Sequence, residues 1–166
     1  RVVDAIAKAG EITAGETVIE IGPGKGVLTK ALLQTGAHVI AIEKDNRLIP
    51  ILSKGFEKEI KEGCLTLIHE DILEMNAEKI REISGKDFKV VANIPYYITG
   101  MLIRNFLSGK SKPKLMVLIV QKEVATRIIA RDGKESVLSL SVKVYATPEL
   151  VMNVSRGNFF PIPNVD

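Results

Sequence analysis

The sequence predicts an α/β protein in which a mostly parallel sheet carries helices on both faces. Short runs rich in Val, Ile and Leu alternate along the chain with segments of helical periodicity. Uninterrupted apolar runs indicate strands buried on both faces, which is typical of parallel sheets. The first run leads directly into a cluster of glycines, and a glycine-rich turn between strand and helix is common in this class. A length of 166 residues suits one domain with its own core.

Five apolar runs are predicted to be strands, at residues 17–22, 38–43, 65–69, 89–93 and 114–121. The other segments predict helices at residues 1–6, 26–35, 45–62, 76–83, 100–107 and 123–131. We expect Asp45 to cap the helix over residues 45–62, in whose first turns Pro50 is tolerated. Residues 137–145 (VLSLSVKVY) alternate between apolar and polar, and that local pattern favours another strand.

Composition limits the possible functions. The longest uncharged apolar run, residues 115–120, is far shorter than the roughly 20 residues that a membrane-spanning helix needs. Cys64 is the only cysteine, which excludes a disulfide framework and a cysteine-based metal site and fits a reducing cytoplasm. The formal net charge of +3 mildly favours a polyanionic partner. We expect a monomeric cytoplasmic protein that needs no metal and contacts no membrane.

The stretch VIEIGPGKGVLTKAL places Gly22, Gly24 and Gly26 between the first strand and the following helix. Glycines at such a junction allow a ligand to approach the backbone closely, and the N–H groups of the first helical turn are unpaired. The spacing differs from the dinucleotide pattern G-x-G-x-x-G, and no Lys-Ser/Thr pair marks a phosphate loop. Glu20 adds a carboxylate beside the loop, which suits a cationic ligand better than a pyrophosphate. The alternative is a turn with a purely structural role.

Two acidic residues end the next two strands. Glu43 closes the second strand about 20 residues after the first glycine, where a carboxylate can accept hydrogen bonds from both hydroxyls of a ribose. Asp71 follows the third strand, where it can accept a hydrogen bond from an adenine amino group while Ile72 packs against the ring. The carboxyl ends of successive parallel strands line one crevice. The simplest interpretation of both acids together is therefore that they bind one nucleoside ligand. Taken singly, each acid would be an ordinary solvated strand end or helix cap.

The fourth strand ends in Asn93-Ile94-Pro95-Tyr96, at the same edge of the predicted sheet. If the cofactor is S-adenosylmethionine and the acceptor is the exocyclic amine of a base, the Asn93 amide oxygen and the Ile94 carbonyl oxygen can each accept one of its N–H bonds. Pro95 fixes the direction of that carbonyl, and Tyr96 offers a flat face for the base. No strong general base is needed, because the alkylated amine loses its extra proton readily. A plain Asn-Pro turn is the alternative.

These segments, in this order, resemble a known family. EIGPGKGVLT, AIEKD, HEDIL, NIPYYIT and FFPIPNVD are similar to motifs of the ribosomal RNA adenine N6-dimethyltransferases, which include a KsgA type for the small subunit and an Erm type for the large subunit. The resemblance spans nearly the whole chain and implies a Rossmann-like class I S-adenosylmethionine-dependent methyltransferase fold. It also implies that residues 1–166 are a fragment of the catalytic domain, since the family's N-terminal cofactor motif and its C-terminal strand and small helical domain are missing.

The resemblance gives the matching residues roles around S-adenosylmethionine. Gly22 and its loop would hold the methionine part, Glu43 the ribose, and Asp71 with Ile72 the adenine. Lys44 stands where the family often has an apolar residue beside the cofactor adenine, and its aliphatic stem can still pack there.

The resemblance also concerns the target base and the end of the chain. Residues 93–96 would hold the target adenine, with Asn93 also bordering the cofactor, and Phe159 would cover the other face of the base. From the residues alone, Phe159 could instead end an edge strand. Related enzymes have a helix at residues 137–145 and the next strand near residues 149–154, so we expect a helix at the former.

The closer match of FFPIPNVD and IEKD to the small-subunit type implies a substrate. This would be a pair of adjacent adenines near the 3′ end of small-subunit rRNA, in a ribosome-assembly intermediate, each receiving two methyl groups. Phosphate contacts must anchor the flanking RNA. The candidate contacts are Lys110, Lys112, Lys114, Lys122, Arg127 and Arg131.

Three alternatives remain open. An Erm-type enzyme would act on large-subunit rRNA. Another amino-methyltransferase would act on DNA or on a protein glutamine, against which the NIPYYIT segment argues. A non-catalytic RNA-binding or transcription factor could retain the same fold, and the intact Glu43, Asp71 and Asn93 argue against it.

Overall fold

The computed structural model describes residues 2–94, 96–130, 133–155 and 157, with the main chain alone at Tyr96. Their centre is a five-stranded sheet in which every strand pair is parallel. The strands are β1 (Thr17–Ile21), β2 (His38–Glu43), β3 (Leu65–His69), β4 (Phe88–Asn93) and β5 (Leu115–Ile119). The predicted parallel sheet and its five strands are confirmed.

Helices connect and cover the strands within the described residues. They are α1 (Val2–Ala9), α2 (Val27–Gln34), α3 (Ile49–Gly55), α4 (Glu57–Lys61), α5 (Ala77–Ser84), α6 (Thr99–Ser108), α7 (Lys122–Ile129) and α8 (Val137–Lys143), with a short 3-10 turn at Tyr96–Ile98. Each parallel crossover therefore contains at least one helix, as the sequence predicts.

The strand order β3-β2-β1-β4-β5 places the first strand in the middle of the sheet. From β1 the chain moves outward through β2 and β3, then returns past β1 to form β4 and β5. This reversal opens a crevice beyond the carboxyl ends of β1 and β4, which is where ligands bind in such sheets. Ile21 is level with Ile42 and Ala92, so the loops that follow β1, β2 and β4 leave the sheet at the same height.

Alternate residues of the central strands pack against two separate helical layers. On one face, Ile19, Ile40 and Val90 belong to a cluster that also contains Leu102 and Phe106 of α6. On the other face, β1, β2 and β4 contribute to a second cluster with α1 and α2, formed by Val18, Val39, Ala41, Val91, Ile6 and Leu32. Burial on both faces explains why these strands are continuously apolar.

The prediction of one helix over residues 45–62 is wrong. Oδ1 of Asp45 accepts the main-chain N–H of Arg47 at 2.9 Å, so this side chain forms a local turn instead of capping a helix. Helix α3 begins only at Ile49, with Pro50 in its first turn as predicted. Phe56, with φ of −124° and ψ of 28°, then separates α3 from α4.

Residues 137–143 form a helix, as the family resemblance implies, so the strand indicated by local alternation is wrong. Ser136 begins the helix, and its Oγ accepts the main-chain N–H of Ser139 at 3.2 Å. Ser139 is buried and donates its hydroxyl to the main-chain oxygen of Ile128 at 3.1 Å, which ties α8 to α7. The strand expected near residues 149–154 is not formed.

Candidate active site

The glycine loop joins β1 to α2 in a conformation that favours glycine. Gly22, Gly24 and Gly26 have φ angles of 68°, 60° and 80°, a region in which residues with a side chain are strained. The N–H of Gly26 donates to the main-chain oxygen of Pro23 at 2.9 Å and closes the turn. A Cβ on Gly26 would lie 2.3 Å from a ring carbon of Phe56, whereas a Cβ on Gly24 would meet no atom within 4 Å. Gly26 therefore serves packing, and Gly24 borders open space.

Glu43, the last residue of β2, holds the glycine loop in place through a hydrogen bond. Its side chain is buried, and Oε2 accepts the main-chain N–H of Gly24 at 3.2 Å. Oε1 accepts the main-chain N–H of Asp45 at 2.9 Å. A carboxylate has about four lone-pair sites, so these two bonds leave capacity for further donors. The sequence indicated a ligand-binding role for Glu43, and this structural role in holding two loops was missed.

Glu20 carries a buried carboxyl beneath the same loop. It is 1% exposed, and neither of its oxygens has a hydrogen-bond partner among the described residues, nor does the buried Thr29 hydroxyl on α2. Burial raises the pKa of the Glu20 carboxyl to about 7; the nearby Thr29 opposes this shift and the Glu43 carboxylate adds to it. Such a group is expected to ionise readily when a cation comes close.

We expect Glu20 to make folding less favourable as pH rises from about 4.5 to about 7. Over this range the unfolded chain releases the Glu20 proton while the folded protein keeps it, so the free energy of unfolding declines. Glu20→Gln should remove this component, which chemical unfolding across the pH range would show as a flatter profile. Glu82→Gln, on an exposed position of α5, is the matched control. Equal pH slopes for wild type and Glu20→Gln would contradict the expectation.

Asp71 follows β3 and already has two partners. Oδ1 accepts the main-chain N–H of Leu73 at 3.0 Å, and Oδ2 lies 3.6 Å from Nζ of Lys44. Lys44 Nζ also lies 6.0 Å from the centre of the Tyr97 ring. Ile72 is buried in the core cluster that also contains Ile40 and Ile42 of β2. The sequence placed Lys44 at this end of the crevice but could not indicate either of its contacts.

Asn93 ends β4 directly across from the glycine loop. The five preceding residues of β4 are buried and Asn93 is exposed. A Cβ on Gly22 would lie 3.6 Å from the main-chain oxygen of Asn93, so the two loops are in close proximity. Ile94 has a buried side chain and donates its N–H to the main-chain oxygen of Ile119 at 3.2 Å, which anchors the segment to β5. The main chain that carries Asn93 is therefore fixed at the crevice, and Asn93 itself is exposed there.

The structure brings the cofactor and acceptor candidates to one edge of the sheet. These are Glu20, Gly22, Gly24, Gly26, Glu43, Lys44, Asp71, Ile72, Asn93 and Ile94. Four other predicted positions lie outside the described residues: Pro95, the Tyr96 side chain, Arg131 and Phe159. Their roles stay predictions.

Three of the RNA candidates lie away from this crevice. Lys110, Lys112 and Lys114 precede β5, so they lie at the amino edge of the parallel sheet, opposite the site. Nζ of Lys114 is 3.1 Å from Oδ1 of Asp87, and Nζ of Lys112 lies 4.5 Å from the centre of the Tyr145 ring. The predicted RNA contact of this loop stays a prediction.

Two RNA candidates lie on α7, which leaves the sheet at the crevice edge. Lys122 is the first residue of α7, three positions after the end of β5, and is exposed. Arg127 is one turn further along and pairs with Oε1 of Glu123 at 2.5 Å. Of these two cations, Lys122 is therefore nearer the carboxyl end of the sheet.

Two absences hold for the part of the chain that the structure describes. No helix there has the length and hydropathy to cross a bilayer. No group of three or more His, Cys, Asp or Glu side chains is gathered there in a way that could hold a metal ion.

Sequence comparison relates the chain to one protein family over its full length. The family described as ribosomal RNA adenine dimethylase matches residues 1–166. Ribosomal RNA small subunit methyltransferase A of Dehalococcoides mccartyi strain CBDB1 is 46% identical over 167 residues, covering 99% of this chain and 55% of that protein. The protein of the same name from Caulobacter vibrioides is 40% identical over 162 residues, covering 96% and 61%. The chain thus spans little more than half the length of these curated relatives.

Two solved structures share the fold over nearly the whole chain. A dimethyladenosine transferase from Plasmodium falciparum superposes with a TM-score of 0.82 at 33% identity, covering 99% of this chain and 58% of that one. The 23S rRNA methyltransferase ErmE superposes with a TM-score of 0.80 at 26% identity, covering 99% and 64%. The predicted Rossmann-like methyltransferase fold is confirmed.

Proposed function

Because the chain belongs to the ribosomal RNA adenine dimethylase family, we propose that residues 1–166 form the catalytic part of an rRNA adenine N6-dimethyltransferase. The methyl donor is S-adenosylmethionine. The substrate is a pair of adjacent adenines near the 3′ end of small-subunit rRNA, in an assembly intermediate of the small ribosomal subunit. We also propose that the enzyme is a cytoplasmic monomer; its single cysteine fits a reducing compartment.

The observation that carries this proposal is the exposed Asn93 amide at the crevice, on a backbone anchored to β5. The amino nitrogen of adenine is a weak nucleophile, because its lone pair is delocalised into the ring. Acceptance of its two N–H bonds by the Asn93 amide oxygen and the Ile94 carbonyl oxygen aligns the nitrogen and stabilises the positive charge that develops on it. Bound S-adenosylmethionine would supply the methyl group to this nitrogen and leave as the thioether S-adenosylhomocysteine, and the surplus proton on the nitrogen would pass to water.

The residues of the crevice fit S-adenosylmethionine, whose sulfonium supplies an activated methyl group. The open space beside Gly24 permits a close approach to the backbone. Glu43 keeps lone pairs for the ribose hydroxyls, and Oδ2 of Asp71, which lies 3.6 Å from Nζ of Lys44, keeps a lone pair for an adenine amino group. Glu20, buried and without a hydrogen-bond partner among the described residues, would compensate the positive charge of the methionine part from beneath the loop.

Sequence identity to relatives of known name supports the choice of a small-subunit rather than a large-subunit substrate. Relatives named small subunit methyltransferase A are 40% to 46% identical to this chain, whereas ErmE is 26% identical. The TM-scores of 0.82 and 0.80 do not separate the two types, so the likeness to ErmE keeps a large-subunit substrate as the second candidate.

The proposal is tested by methyl transfer with the complete protein. Small-subunit and large-subunit assembly intermediates, both unmethylated, are incubated with tritiated S-adenosylmethionine, and the labelled nucleoside is identified by mass spectrometry. We expect N6,N6-dimethyladenine at adjacent positions in small-subunit RNA alone. Label in large-subunit RNA alone would favour the Erm-type function. Cofactor binding without transfer to either substrate would favour a non-catalytic factor.

RNA binding is expected to depend on the cations of α7. Replacing Lys122 and Arg127 with glutamate should weaken RNA binding and reduce the slope of affinity against salt by about one for each lost phosphate contact. Filter binding over a range of salt concentrations measures both quantities. The same double reversal at Lys30 and Lys54, which are exposed on α2 and α3 and are not RNA candidates, is the matched control. Unchanged binding after the first pair of reversals would remove Lys122 and Arg127 from the interface.

A further inference from the structure

Tyr97 exposes an aromatic ring at the mouth of the crevice. The residue is 63% exposed and belongs to the 3-10 turn that follows β4. The centre of its ring lies 6.0 Å from Nζ of Lys44, which follows β2. Because β1 lies between β4 and β2 in the sheet, the two side chains approach each other across the end of β1, where the glycine loop begins. The ring therefore borders the crevice on the side of Asn93.

Met101 extends this exposed surface along α6. It is 54% exposed and lies four residues after Tyr97, a spacing that places two side chains on the same face of a helix. The opposite face of α6 is buried in the core through Leu102 and Phe106. Apolar surface that stays exposed beside a binding crevice is often a contact surface for a ligand.

The charges around the ring favour a nucleic acid as that ligand. The Lys44 side chain is 53% exposed, so its ammonium can attract a phosphate although it also lies 3.6 Å from Oδ2 of Asp71. Helix α6 contains no acidic residue that would repel a phosphate. An exposed aromatic ring beside a cation is the kind of surface on which unpaired bases stack.

We propose that Tyr97 stacks against the base next to the target adenine and so forms a second base subsite. The proposed substrate has two adjacent adenines, and the chain has two successive tyrosines, of which Tyr96 is predicted to hold the target base. When the target adenine leaves its stack, the neighbouring base loses a stacking partner, and the exposed Tyr97 ring replaces it. This contact fixes the register of the RNA strand at the crevice. The inference rests on the proposed function, since it assumes that an adenine is bound at Asn93.

The test is methyl transfer by the complete protein to small-subunit assembly intermediates in which the 3′ segment of the RNA is supplied by ligation. One substrate keeps both adenines, and two others carry an abasic nucleotide in place of the first or the second adenine. On the intact pair, Tyr97→Leu should lower kcat/KM by about five- to ten-fold, the lower part of the range for base stacking. On the abasic substrate that lacks the stacked neighbour, wild type should show the same loss, and Tyr97→Leu should add less than about two-fold to it.

Two controls separate base stacking from other roles of Tyr97. Tyr97→Phe keeps the ring and should stay within about two-fold of the parental kcat/KM on the intact pair. A loss as large as that of Tyr97→Leu would assign the effect to the hydroxyl and overturn the subsite. Tyr97→Leu should bind S-adenosylhomocysteine with the parental affinity. Weakening of that binding in step with transfer would place the ring against the cofactor and overturn the subsite as well.

The substrate series gives the remaining outcomes. Equal losses for Tyr97→Leu on all three substrates would assign Tyr97 a structural role and overturn the subsite, as would an unchanged rate on the intact pair. If wild type transfers no methyl group to the intact pair, the proposed function fails and the subsite fails with it. Transfer by wild type with no coupling between Tyr97 and the neighbouring base would overturn the subsite alone.

Discussion

Asn93→Ala in the complete enzyme should reduce methyl transfer to rRNA by about 10²- to 10³-fold, the typical cost of removing one preorganised polar group that stabilises transition-state charge. Asn93 is the exposed end of an otherwise buried strand. Its amide therefore contributes little to the core. We expect the substitution to lower the rate of the chemical step and to leave the stability of the fold nearly unchanged. Single-turnover transfer of tritiated methyl groups measures that step directly.

Binding of S-adenosylhomocysteine to Asn93→Ala separates catalysis from cofactor affinity. Asn93 lies at the proposed acceptor end of the crevice, so we expect its loss to weaken cofactor binding far less than it slows transfer. Asn105→Ala, the same change at an exposed position of α6, should leave both quantities unchanged. Methyl transfer by Asn93→Ala at the parental rate would rule out the proposed role of this amide.

The strands were predictable because each is a local feature. Residues 38–43 and 65–69 are recognisable as strands without reference to any partner, and the structure has the same bounds. The break between α3 and α4 was not predictable, because it lies at Phe56, whose ring packs against Gly26, about 30 residues earlier in the chain. Residues 137–145 show the same limit, since burial of Ser139 against α7 is a tertiary contact that local alternation cannot indicate.

For the candidate site, the sequence supplies residue identities and the edge of the sheet at which they gather. It does not supply their partners. The bonds from Glu43 to the loops after β1 and β2 depend on the register of two strands. Likewise, the position of Lys112 at the opposite edge follows from the direction of β5, which is fixed only when β4 and β5 pair in parallel. The positive charges in the sequence could not show that the loop before β5 lies at the edge opposite the site whereas α7 begins at the edge of the site.

Gly26→Ala should destabilise the fold strongly, by about 2–4 kcal/mol, because two costs act together. A side chain at a φ of 80° is strained, and the new Cβ would lie 2.3 Å and 2.7 Å from two ring carbons of Phe56. Phe56 cannot withdraw freely, since it packs against the core cluster that contains Leu32 of α2 and Val39 of β2. Urea unfolding of the two proteins measures the difference, and a change below about 1 kcal/mol would contradict the packing role of Gly26.

Gly24→Ala is the matched substitution in the same loop. We expect it to destabilise the fold only slightly and to weaken cofactor binding strongly. Its φ of 60° carries backbone strain of about 1 kcal/mol, but the added Cβ would meet no atom within 4 Å. The main-chain N–H that Glu43 accepts is retained, so the loop should remain in place. The methyl group would instead occupy the open space that a cofactor must approach, and we expect S-adenosylhomocysteine binding to fall at least about ten-fold, a loss of about 1.4 kcal/mol. If Gly24→Ala binds normally, the open side of the loop does not face the cofactor.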